Sequence, residues 1–155
     1  MPLKVFRGQL HAYRIYPESR HGLYFVVRLF TTRSALAACI RAYGRTPGRG
    51  TIGIVMPWRT SSWDQRWRTG KFAGEIGLLA ETAKNEVCAH EATHAALAWA
   101  RRIGFADGIV ATENARRRHA PVMLTRDCDE ERFCYAVGRI NKQIVAGLYA
   151  CGVLQ

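Results

Sequence analysis

The stretch that most constrains this chain is His90-Glu91-Ala92-Thr93-His94. An α-helix repeats every 3.6 residues, so two histidines four apart stand one turn apart on one face. Two imidazoles in that register can hold one Zn²⁺. The carboxylate of Glu91 can then take a proton from a metal-activated water. The surroundings favour a helix over residues 86–102. Asn85 suits the N-cap, Glu86 falls in the first turn, and Arg101 and Arg102 fall in the last, each matching the helix dipole. Gly104 closes it. Val87, His90, His94, Leu97 and Ala98 share one stripe, which predicts that the histidines face the interior.

Two histidines leave such a site incomplete. A catalytic zinc takes three protein ligands and keeps a fourth position for water. A third histidine six residues after His94, preceded by a glycine, is excluded, because Leu97 and Ala100 occupy those positions. The other histidines are His11, His21 and His119. A later helix offers a carboxylate instead. Asp127, Asp129, Glu130 and Glu131 crowd its first turn, and Phe133, Val137, Ile140, Ile144 and Leu148 give it an apolar stripe.

His90-Glu91-Ala92-Thr93-His94 followed by Glu131-Arg132-Phe133-Cys134-Tyr135 resembles the gluzincin type of zinc metallopeptidase. More narrowly, it is similar to the small single-domain peptidases of phages and mobile elements. Their second helix carries a Glu-x-x-Ala-Tyr-like pattern, and Cys134 stands here in the alanine place. The resemblance spans roughly residues 70–150. It implies a zincin-like fold, a Zn²⁺ cofactor and hydrolysis of peptide bonds. It makes His90, His94 and Glu131 the metal ligands, with Glu130 as the alternative third, and Glu91 the general base. An oxyanion donor is still needed. Tyr135, His119 and Arg132 are the candidates, and Tyr135 joins Glu91 in the expected catalytic set.

The rest of the chain reads as one α+β domain with a small, mainly antiparallel sheet of about four strands packed on the motif helix and the long C-terminal helix. Strands are expected at residues 3–8, 23–31, 51–56 and 71–80, with residues 9–21 as a strand end and turn. Ser34 is expected to cap a helix over 35–43 that Gly44 ends. Residues 71–80 contain two glycines and lead into the motif helix, so this strand is a candidate edge for an extended peptide. Trp58, Trp63 and Trp67 among arginines suggest a loop anchored by aromatics, or one that stacks on bases.

The formal charge of +11 implies an acidic partner, either an acidic peptide or protein substrate or nucleic acid. Two alternatives follow. One is a basic nucleic-acid- or partner-binding protein whose zinc is structural or vestigial. The other is a protease recruited to DNA, similar in logic to SprT-like repair peptidases. Five cysteines without a CxxC pair argue against a disulfide framework and for buried, reduced thiols. No apolar run suits a membrane span and no h-region is evident, so a cytoplasmic protein is expected.

Overall fold

A computed structural model describes residues 5–18, 22–57, 70–103 and 127–155, with the backbone alone for 127–130. Four strands form one sheet: β1 (Gln9–Ile15), β2 (Tyr24–Phe30), β3 (Gly53–Pro57) and β4 (Phe72–Leu79). The described helices are α1 (Arg33–Ala42), α2 (Asn85–Ile103) and α3 (Asp127–Ala150). The sheet order is β1-β2-β4-β3. β1 runs antiparallel to β2, and β3 antiparallel to β4, while the central β2 and β4 are parallel. This is the α+β architecture expected.

The central strands are apolar apart from one charged residue each, Arg28 and Glu75, because they are covered on both faces. Every residue of β2 and of β4 is buried. Alternation along each strand sorts the side chains. Phe25, Val27 and Leu29 join Val55, Ile76 and Leu78 in a core shared with α2 and α3. Phe30, Met56 and Leu79 point the other way and pack with Leu36, Cys39 and Ile40 of α1. Burying each such side chain contributes about 1.5–3 kcal/mol. The first core is the larger and carries α2, so α1 and α2 lie on opposite faces of the sheet. Gly77 of β4 lets α1 approach, since a Cβ there would sit 2.7 Å from Leu36 Cδ1.

Thr32, rather than Ser34, caps α1: its hydroxyl accepts from the Ala35 N–H at 3.2 Å. Gly44 ends the helix with a φ of 69°. Among the described residues the first strand begins at Gln9, so the strand expected at 3–8 is displaced into the segment read as a strand end and turn. β4 offers no edge for a peptide, because β2 and β3 flank it. The outer strand beside α2 is β3. The tryptophan-rich segment and the long connection after α2 lie outside the described residues.

One polar pair is sealed in the α1 face of the sheet. Arg28 of β2 donates from Nε to Glu75 Oε2 at 2.7 Å and from Nη2 to Glu75 Oε1 at 2.9 Å. Its Nη1 donates to Gln9 Oε1 at 2.6 Å, and its guanidinium lies 4.9 Å from the Phe6 ring centre. Both charged side chains are fully buried. Burial alone would lower the pKa of Arg28, but hydrogen bonding to Glu75 and its charge more than offset that.

Candidate metal centre

α2 is rich in alanine, and small side chains let a helix pack closely. Its buried face holds Cys88, Glu91, Ala92, Ala95, Ala96, Trp99 and Ala100. His90 and His94 lie outside that face and are exposed, which corrects the inward orientation expected for them. The stripe that packs is rotated by one residue, about 100°.

The two imidazoles converge. His90 Nε2 and His94 Nε2 stand 3.1 Å apart, with ring centres 4.6 Å apart and planes at 77°. A tetrahedral zinc with Zn–N bonds of about 2.0–2.1 Å sets two ligand nitrogens about 3.3 Å apart. The pair therefore fits two corners of such a site from one helix face, with its nitrogens open to solvent. Thr93, between them, turns its hydroxyl back to the Ala89 carbonyl at 2.9 Å, away from competition for the rings.

Glu91 sits beside this pair but points into the fold, at only 5% exposure. It fits there because Gly53 of β3 has no side chain. A Cβ on Gly53 would lie 2.8 Å from Glu91 Oε1 and 3.1 Å from Cδ. Burial raises the carboxyl pKa, and the charge of His90 partly opposes that rise. Among the described residues no ion pair or hydrogen bond holds the carboxylate. The geometry thus joins a metal-compatible imidazole pair to a desolvated carboxylate whose proton affinity is raised, as a general base requires. Gly53 was not singled out in the sequence. The available signal was a glycine inside a strand, which marks close approach of a neighbour.

The other expected residues stand apart from the pair. α3 packs against α2, with Asn85, Glu86 and Ala89 near Asn141, Val145 and Tyr149, and with Trp99 near Arg132 and Ala136. The two helices are therefore antiparallel. Glu131 is exposed at the level of Trp99, about a turn and a half beyond His94. Among the described residues, no three His, Cys, Asp or Glu side chains are grouped to hold a metal. Glu131 instead lines a cavity of about 1190 Å³ with Glu18, Trp99, Arg132 and Tyr135. Tyr135 is 74% exposed. Arg132 is engaged: it donates to Glu18 at 2.7 Å and lies 5.3 Å from the Trp99 ring centre. His119 and the side chain of Glu130 lie outside the described residues.

The described cysteines are free, and they are not uniformly buried as expected. Cys39 and Cys88 are buried, Cys151 is half-buried, and Cys134 is exposed. Burial pushes the Cys88 thiol up, which keeps this neighbour of the histidines protonated and quiet. No described helix is long and apolar enough to cross a membrane. No protein-family model, curated protein or solved structure matches the chain.

Proposed function

We propose that the chain is a zinc-dependent peptidase in which His90 and His94 hold the metal and Glu91 is the general base. One observation carries this reading: two exposed imidazole nitrogens converge to 3.1 Å beside a buried carboxylate. Bound zinc would supply Lewis acidity at a water and at the substrate carbonyl. The third protein ligand is proposed to come from the acidic start of α3, from Glu131 or Glu130; Glu131 stands level with Trp99 rather than with His94, so ligation requires the start of α3 to draw toward the pair. Tyr135, one turn after Glu131, is the proposed oxyanion donor.

The chain's own part in the reaction follows from Glu91. Its carboxylate lies against β3 at Gly53, beside the histidine pair, which is where a proton would be received. Desolvation raises its proton affinity, so it accepts a proton more readily than a solvated glutamate. The same group can then pass that proton to the leaving amine. β3 is the outer strand beside α2, and its far side is the proposed place for an extended peptide to pair by backbone hydrogen bonds. The excess of positive charge favours acidic substrates.

The test is hydrolysis of a mixed peptide library by zinc-loaded protein beside Glu91→Gln. The variant is expected to keep its metal and fold while its rate falls by about 10²–10⁴. Equal rates would remove Glu91 from the mechanism. No cleavage above the metal-free protein would end the peptidase reading. Metal analysis of Glu130→Ala and Glu131→Ala identifies the third ligand, since only its loss should weaken zinc binding strongly.

A further inference from the structure

The arginine excess looks dispersed along the sequence, but the fold gathers part of it. Between Glu18 and Asp64 the chain has no acidic residue. That interval supplies α1 and the turn that follows it. Arg33, Ala37 and Arg41 recur every four residues along one side of α1, so the two arginines share a face about 12 Å apart. Residues 47–51 fold back beside this face, with Thr51 N–H bonded to the Gly48 carbonyl at 3.3 Å and the Thr51 hydroxyl to the same oxygen at 2.8 Å. The result is a groove of about 470 Å³ between helix and turn, whose charged lining is Arg33, Arg41 and Arg49. Among the described residues no acidic side chain lines it. All three arginines are exposed, and among the described residues their side chains make no ion pair.

Three guanidinium groups without a described ion-pair partner surround one groove, an arrangement that suits an anion repeated along a chain. Like charges brought together without a carboxylate raise the local positive potential, which attracts an anionic partner. Arginine rather than lysine provides planar, two-pronged recognition of phosphate. A nucleic acid carries such a charge at every nucleotide, whatever its sequence. An acidic peptide meets these fixed cations only where its carboxylates happen to recur at their spacing. An anionic membrane calls for apolar side chains beside the cations. Among the described residues, the exposed large apolar ones, Val5, Leu10, Tyr16, Tyr135 and Tyr149, all lie off α1 and off the 47–51 turn.

We infer that the groove between α1 and residues 47–51 binds the phosphodiester backbone of a nucleic acid. It lies on the sheet face opposite α2, so nucleic acid held there leaves the histidine pair open. The inference does not depend on metal or on hydrolysis. It makes the acidic partner a second ligand, separate from whatever the α2 face processes.

The experiment is fluorescence anisotropy with a labelled single-stranded DNA, its duplex and the matching RNA, with a chelator present, at about 50 and about 200 mM salt. The wild type should bind at least one of them at the lower salt and lose affinity steeply at the higher. Arg33→Gln, Arg41→Gln and Arg49→Gln combined should weaken binding about tenfold or more and flatten the salt slope by about 2–3. The comparison protein removes the same charge from another surface through Lys84→Gln, Arg101→Gln and Lys142→Gln, all exposed positions on or beside α2 and α3. It should keep most of its affinity. Equal loss in the two variants would reduce the effect to net charge and overturn the site. So would absence of binding at the lower salt, or competition by polyglutamate or phosphatidylserine vesicles as strong as that by unlabelled DNA. Circular dichroism on both variants confirms that each is folded.

Discussion

Glu75 and Glu91 are both buried, on opposite faces of one sheet, and their surroundings differ in kind. Glu75 is held by two hydrogen bonds from Arg28, and that guanidinium is satisfied again by Gln9. Its charge is closed off, and the group links the two central strands. Glu91 has no such partner among the described residues; it lies under a glycine and beside two exposed imidazoles. A buried carboxylate without a counter-charge is costly. A fold that keeps one next to a convergent histidine pair retains a group poised for proton transfer. The pair on one face is closed by its own hydrogen bonds, and the lone group on the other is the one to which the proposed chemistry is assigned.

The largest expected effect falls on the closed pair. Glu75→Leu strands the Arg28 guanidinium in the core and should cost about 3–5 kcal/mol in urea unfolding. Adding Arg28→Met should recover most of it. A loss below about 1 kcal/mol for the single variant would show that the Arg28 charge is not sealed from water as described. Two glycines sharpen the contrast next. Gly77→Ala presses on Leu36 and should lower stability by about 1–3 kcal/mol with zinc affinity unchanged. Gly53→Ala presses on the movable end of Glu91. It should cost less stability but slow hydrolysis about 10²-fold through misplacement of the base. The reverse pattern would break the division between the two faces.

The smallest effect is a pH dependence of the metal-free protein. Glu91 has a folded pKa above its ordinary 4.5. Its unfolded form therefore releases a proton first as pH rises, and the folded state loses stability across the window from 4.5 to the raised value. Below that window both forms are protonated and the loss is absent; above it the loss is complete. Glu91→Gln lacks this titration. It should become more stable than wild type as pH rises through the window, by on the order of 1 kcal/mol, and the gap should then level off. Thermal unfolding from acid to neutral pH with chelator reads this directly. A gap independent of pH would mean that Glu91 is solvated like any surface carboxylate.

Much of the scaffold was legible because its strands and helices carry strong local signals. The Leu23–Thr31 run, the 71–80 run and both long helices appear close to where their patterns place them. β1 lies several residues beyond the strand expected at 3–8, because it is an edge strand with Gln9, His11, Tyr13 and Arg14, in which polar residues obscure the alternation. The orientation of α2 was misread for a related reason. With alanines on several sides, its apolar period does not choose between two neighbouring stripes, and a charged Glu91 gives no hint of burial. The imidazole pair was legible, since it depends on helical spacing alone. The slot at Gly53 was not, because it depends on which strand pairs beside α2. Nor could the sequence set the register of α3 on α2, which leaves Glu131 level with Trp99 rather than with His94.

The central claim is that His90 and His94 jointly hold zinc. Its direct measurement is a calorimetric zinc titration of metal-free wild type, His90→Ala and His94→Ala. One zinc per chain in the wild type, with binding lost in either variant, is the result predicted. No zinc bound by the wild type, or undiminished affinity in the variants, would contradict it.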